Sequence, residues 1–189
     1  MSLRENKIYL YLTVIALISW WLVKLTGVDE IYHGQVPAAH SPDYFSKGYT
    51  KWEMNELGRV KNKLLADKMT HYSDDGTTHM LNPIMFFHNE KKPPWVVKSG
   101  TGILSGDGKD LLLNGKVKID REKAEGVTQL TINTSMLKVK PETSYAETSE
   151  WAELISPPNK TTGIGMKLTF VEPIHLQLLA NVKGKYETK

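Results

Sequence analysis

Two hydrophobic patterns divide this chain. From Ile8 to Val23 the residues are continuously apolar or weakly polar: Ile-Tyr-Leu-Tyr-Leu-Thr-Val-Ile-Ala-Leu-Ile-Ser-Trp-Trp-Leu-Val. Beyond residue 45 the period becomes two. Val117 and Ile119 alternate with Lys116, Lys118 and Asp120, and Leu130 and Ile132 alternate with Gln129, Thr131 and Asn133. Met166, Leu168 and Phe170 alternate with Lys167 and Thr169, and Ile174, Leu176 and Leu178 with His175 and Gln177. The continuous run predicts a helix in an apolar medium. The alternation predicts antiparallel strands with one buried face.

Turn signals separate the strands at short intervals: Asp74-Asp75-Gly76, Gly106-Asp107-Gly108, Asn114-Gly115 and Pro157-Pro158-Asn159. These residues tolerate or fix the φ angles that hairpins need. No amphipathic helix follows to cover the apolar faces, so the strands must cover one another. The expected fold is all-β, an open antiparallel jellyroll of two facing sheets preceded by one N-terminal transmembrane helix. Leu112-Leu113-Asn114-Gly115-Lys116-Val117-Lys118 is loosely echoed by Leu178-Leu179-Ala180-Asn181-Val182-Lys183-Gly184-Lys185.

The apolar run, extended through Lys24 to Val28, approaches the roughly 20 residues that cross a bilayer. Lys24 is placed to snorkel, and Tyr9 and Tyr11 with Trp20 and Trp21 resemble aromatic belts. Arg4 and Lys7 precede the run while Asp29 and Glu30 follow it, so the N-terminus is expected in the cytoplasm and the remainder outside it. Val36-Pro37-Ala38 resembles a signal cleavage site but lies far beyond the apolar run, so a retained anchor is expected. The resulting organisation is a cytoplasmic terminus (1–7), a transmembrane helix (8–28), a linker (29–45) holding Gly34, Pro37 and Pro42, and a β domain (46–189).

Composition narrows the function. The 189 residues carry a net charge of only +3, and the arginines are limited to Arg4, Arg59 and Arg121, which argues against nucleic acid. Cysteine is absent, which excludes disulfides, thiolate catalysis and cysteine-based metal sites. The six histidines (His33, His40, His71, His79, His88, His175) form no metal-ligand motif. Asp74, Asp75 and Asp107 offer calcium-type oxygens but lack EF-hand spacing. No nucleophile elbow or phosphate loop is present. No enzymatic activity, cofactor or metal is expected.

In order and spacing the chain resembles the LptC family, the bitopic periplasmic component of lipopolysaccharide export. The resemblance is carried by Leu64-Leu65-Ala66-Asp67-Lys68-Met69-Thr70-His71-Tyr72-Ser73-Asp74, Asn82-Pro83-Ile84-Met85-Phe86-Phe87, Pro94-Trp95-Val96-Val97-Lys98-Ser99, Leu113-Asn114-Gly115-Lys116-Val117 and Thr162-Gly163-Ile164-Gly165-Met166-Lys167. It implies a protein of the inner membrane that accepts lipopolysaccharide from an ABC transporter. The transporter's permeases carry periplasmic β-jellyroll domains, and its ATPase dimer is engaged only indirectly. The lipid then passes to a soluble bridge protein of the LptA type.

Alternation and resemblance together place the lipid-lining candidates at Tyr49, Met80, Ile84, Phe86, Val117, Ile119, Leu130, Ile132, Met166, Leu168, Leu176 and Tyr186. The resemblance puts partner interfaces on the first strand with Trp52 and the turn residue Gly58, and on the last with Val182, Lys183 and Lys185. Thr13, Ala16 and Ser19 form a small-residue stripe for helix packing against the transporter. A membrane-anchored scaffold that binds proteins through its β edges without carrying lipid is the alternative. Ile155-Ser156 departs from the Tyr-Gly of some family members.

Overall fold

A computed structural model describes residues 3–25, 40–89 and 92–187. Two compact units divide at Ala39/His40. The first contains α1 (Leu3–Leu25), whose side chains from Tyr9 to Leu25 are exposed on every face. Thr13 Oγ1 donates to the Tyr9 carbonyl one turn back. The span expected over 8–28 is corrected here: α1 ends at Leu25, and among the described residues no helix is long and apolar enough to cross a membrane. The reason is arithmetic. Between Lys7 and Lys24 the uncharged stretch rises about 24 Å at 1.5 Å per residue, short of the roughly 30 Å of hydrocarbon. Residues 26–28, and the acidic flank Asp29-Glu30, lie outside the described residues.

The second unit is one antiparallel sheet of ten strands: β1 (Pro42–Met54), β2 (Val60–Tyr72), β3 (Thr78–Leu81), β4 (Ile84–Asn89), β5 (Lys92–Leu104), β6 (Leu111–Arg121), β7 (Leu130–Lys140), β8 (Tyr145–Ser156), β9 (Asn159–Thr169) and β10 (His175–Lys185). β1 starts ahead of the expected boundary at residue 46. Each strand pairs with its sequence neighbours, except that β3 and β4 share one lane between β2 and β5. Between β3 and β4 stands Asn82 with φ +50°, followed by Pro83, which has no N–H to continue the ladder.

The long strands are interrupted near their midpoints. Register shifts fall at Ser99/Thr101, Leu113/Lys116, Asn133/Lys138, Thr148/Trp151 and Ala180/Lys183, and positive φ occurs at Gly48, Gly115, Met136, Gly165 and Asn181. Each of these register shifts is a β-bulge, which bends its strand and raises the local twist; at Gly48 the β1–β2 register is kept. Aligned across the sheet, the bulges fold it along a spine into two facing layers. One layer holds the strand halves beside the β1–β2, β4–β5, β6–β7 and β8–β9 turns, and the other holds the remaining halves. Asn114-Gly115, read from sequence as a hairpin turn, is one of these mid-strand bulges. Asn181 occupies the matching place in the echoed segment of β10, so the echo reflects a shared bulge.

Between the layers lies a core of fully buried side chains, including Phe87, Val97, Leu111, Ile119, Ile132, Leu137, Val139, Met166, Leu168 and Phe170. Phe87 stacks on Phe170 at 4.1 Å, and Trp95 meets Phe170 edge-on at 5.8 Å. These contacts join β4 and β5 of one layer to the β9–β10 turn of the other. Opposite the spine, polar groups close the strand tips. Asn62 Nδ2 donates to the Pro141 carbonyl at 2.9 Å, Lys61 Nζ to the Glu142 carbonyl at 2.5 Å, and Asn89 Nδ2 to the Phe170 carbonyl at 2.9 Å. Lys92 pairs with Glu172 at 2.5 Å.

Candidate functional site

The candidate site is the inner face of the folded sheet together with its two unpaired edges. Alternation along each strand sends every second side chain inward, and antiparallel pairing lines these up in rows across the sheet. Ile119 stands opposite Val97 and Ile132, Val117 opposite Ser99 and Thr134, and Leu168 opposite Ala146 and Leu176. An apolar lining therefore runs from β2 to β9.

Of the expected lining residues, Met80, Val117, Ile119, Ile132, Met166 and Leu168 lie in the core at 3% exposure or less. Tyr49, Leu130 and Leu176 are half-buried against it. Two expectations are reversed: Ile84 and Phe86 point to the outer face, while Met85 and Phe87 point inward. The bulge at Asn82-Pro83 sets the phase of β4, and no simple count from β3 carries across it. Tyr186 is also not inward. It lies beyond the end of β10, 70% exposed, with its ring over Gly184.

Several inward residues escaped the sequence reading. Leu137 and Val139 continue the inward row of Ile132 and Thr134, but the odd-even phase flips at Met136. Met69 follows Ala66 after a similar flip in β2. At Met136 the flip goes with a positive φ of +48°, of which the residue type gives no warning; in β2 no positive φ marks it. Trp95 contributes an indole N–H that is buried with no acceptor among the described residues, while the Arg121 guanidinium lies 5.0 Å from the centre of its ring.

Both edges are open. Among the described residues β1 bonds only to β2, and β10 only to β9, so each presents one row of backbone N–H and C=O groups without a strand partner there. Trp52 on β1 is half exposed, with Lys63 Nζ 4.2 Å above its ring. Gly58, at φ +70°, donates its N–H to the Asn55 carbonyl and so closes the β1–β2 turn. Val182, Lys183 and Lys185 are exposed on the second half of β10. Thr13, Ala16 and Ser19 lie exposed on α1.

Several charged groups around the layers are held in pairs. The Lys92 ammonium, through its hydrogen bond, keeps the Glu172 carboxyl below the usual carboxylate range, and Lys160 with Asn133 does the same for Glu153. Burial, aided by the Glu147 carboxylate that accepts its hydrogen bond, pushes the Tyr145 phenol up to about 12. Burial likewise raises Tyr49. His40, Asp74 and Asp75 bring possible ligand atoms within 4.8 Å of one another. His40 already bonds Asp74 at 2.8 Å and stacks on Tyr72 at 4.1 Å, a surface clip from the chain just before β1 to the β2–β3 turn.

Residues 9–187 match the family described as "Lipopolysaccharide-assembly, LptC-related". The chain belongs to the LptC family. Its role therefore lies in lipopolysaccharide transport, as a component of the transport system. No curated protein matches this LptC-family chain. Among solved structures it is similar to LptH, the LptA homologous periplasmic component of the conserved lipopolysaccharide transport device from Pseudomonas aeruginosa. That likeness has a TM-score of 0.51 at 8% identity, over 67% of this chain and 95% of the other. It shows that this LptC-family member shares the jellyroll-like fold.

Proposed function

We propose that this chain accepts lipopolysaccharide from an inner-membrane ABC transporter and passes it, between its two layers, to a soluble bridge protein of the LptA type. The observation that carries this reading is a continuous apolar inner face running between two unpaired edge strands. The β1 edge, with Trp52 and the Gly58 turn, offers strand addition to the permeases' jellyroll domains. The β10 edge, with Val182, Lys183 and Lys185, offers it to the bridge protein. Joined edge to edge, the inner faces become one apolar path.

The interior is filled by its own side chains, so lipid enters by parting the layers. Acyl chains then replace side-chain contacts with equivalent apolar ones. An acyl chain of twelve carbons kept between the layers avoids an exposure to water that would cost about 10 kcal/mol, at roughly 0.8 per methylene. Each neutral bond at the strand tips, such as Asn62 to Pro141, contributes about 1 kcal/mol net.

The filled interior also favours a second reading, a scaffold that binds proteins through its edges without holding lipid. Photo-crosslinkers at Met80 and Ile132, with an outward control at Leu112, separate the two. Lipopolysaccharide adducts at the inward positions alone are expected; adducts at none of the three, with partner contacts intact, would leave the scaffold.

α1 is proposed as the membrane anchor, N-terminus cytoplasmic and β domain periplasmic. Its support is an apolar surface on every face, which suits lipid rather than water. Lys7 and Lys24 snorkel, and local bilayer thinning accommodates the short apolar stretch. Thr13, Ala16 and Ser19 form the face for packing against the transporter. Deleting residues 1–25 is expected to release the β domain into the soluble fraction. Continued sedimentation with membranes lacking the transporter would refute the anchor.

A further inference from the structure

We propose that the outer face of the spine holds a groove for phosphorylated saccharide, separate from the interior lipid path. The groove encloses about 740 Å³, within the range of small-ligand sites, against about 340 Å³ for the neighbouring hollow at Thr70 and His79. It lies where the β6 bulge shifts the register against both β5 and β7, and Lys98, Lys116, Lys118, Ser135, Glu150 and Trp151 line it.

Charge is the first argument. Lys98 and Lys118 stand directly opposite each other in the β5–β6 register, and Lys116 lies on the same face of β6. Like charges directly opposite destabilise a sheet unless an anion lies between them. Lys118 pairs with Asp120 at 3.0 Å, but Asp120 also accepts from Thr131. Lys98 and Lys116 have no ion pair among the described residues, and Glu150 is the lone carboxylate among the lining residues. The groove is thus short of negative charge in the place where a phosphate fits.

The second argument is shape. The floor is fixed: Ser99 Oγ donates to the Asn114 carbonyl at 2.7 Å, and Thr134 Oγ1 to the Trp151 carbonyl at 2.9 Å. At Gly100 a Cβ would meet nothing within 4 Å, so the backbone is open to a ligand. Trp151, half exposed, supplies an apolar ring on the wall. Lysines for phosphate, a hydroxyl from Ser135 and an aromatic plane for the C–H face of a sugar ring match a phosphorylated saccharide better than a bare anion or an acyl chain. Val117 and Thr134 form the floor from the inside, so one thickness of sheet separates groove from interior, and both can be occupied at once.

The inference deepens the lipopolysaccharide reading and rests on it for the source of the sugar. The test uses the full chain in detergent micelles and an acyl-free diphosphorylated glucosamine disaccharide, followed by tryptophan fluorescence and calorimetry. Binding should change the emission, and Trp151→Phe should abolish that change while leaving heat of binding detectable. Replacing both Lys98→Gln and Lys116→Gln should weaken binding roughly tenfold or more, with Lys138→Gln as the unaffected control. Equal binding of the unphosphorylated disaccharide, of inorganic pyrophosphate or of the double variant would overturn the proposal, as would tighter binding of a single-stranded oligonucleotide. Lipopolysaccharide adducts at Met80, measured alongside in cells, keep the two failures apart. Loss of saccharide binding with those adducts intact removes the groove alone, and loss of the adducts alone removes the interior path.

Discussion

Gly165 illustrates how one residue fixes the sheet's geometry. Its φ of +72° belongs to the left-handed region, and a Cβ there would stand 2.9 Å from Leu179 Cδ1. Leu179 is half exposed and able to turn aside, so the backbone conformation is the dominant obstacle. A side chain in that region costs about 1–2 kcal/mol. Gly165→Ala is therefore expected to lower the melting temperature by roughly 2–8 °C for a domain of this size. Adding Leu179→Ala should recover little of the loss, and full recovery would show that the steric contact dominates instead. Single residues also explain two misplaced candidates. Ile84 and Phe86 have the right chemistry for the interior, but Asn82 and Pro83 set β4 in the phase that turns Met85 and Phe87 inward. Tyr186 lies past the strand that was to carry it.

Among the elements, what sequence alternation reveals is a half-strand at a time. Val117 with Ile119, Leu130 with Ile132, and Met166 with Leu168 fall where their spacing puts them. Counting fails where the inward phase flips in mid-strand, as in β2, β5, β7 and β9, because a shift of one residue exchanges the two faces, whereas in β6 Leu111, Leu113, Val117 and Ile119 keep one phase across the bulge. Leu137 and Val139 lay hidden for this reason, and Asn114-Gly115 looked like a hairpin turn since the same residues serve turns and bulges. The edge strands differ in what they contribute to stability. The second half of β10 is exposed throughout, whereas Leu176 and Leu178 in its first half pack on the core. Truncation after Asn181 should leave the melting temperature within about 2 °C yet abolish co-purification with an LptA-type bridge protein. Retained co-purification would move that interface off β10.

At the scale of the molecule, the account turns on two layers hinged along a spine of bulges and fastened at the opposite strand tips. The bonds from Lys61, Asn62, Asn89 and Lys92 to the β7–β8 and β9–β10 turns join residues about 80 positions apart, 81 for Lys61–Glu142 and 80 for Lys92–Glu172. No local pattern announces such contacts, and so the closed mouth was not legible in the sequence although the jellyroll was. Proposed lipid passage requires that mouth to open. The chain contains no cysteine, so a pair introduced as Lys61→Cys and Glu142→Cys is the sole target of a short bifunctional maleimide. The decisive measurement is capture of lipopolysaccharide by a photo-crosslinker at Met80, with the mouth bridged and unbridged. Capture should fall several-fold or more in the bridged protein and remain in the same variant treated with a monofunctional maleimide. Equal capture in both would mean that the lipid does not pass between the layers.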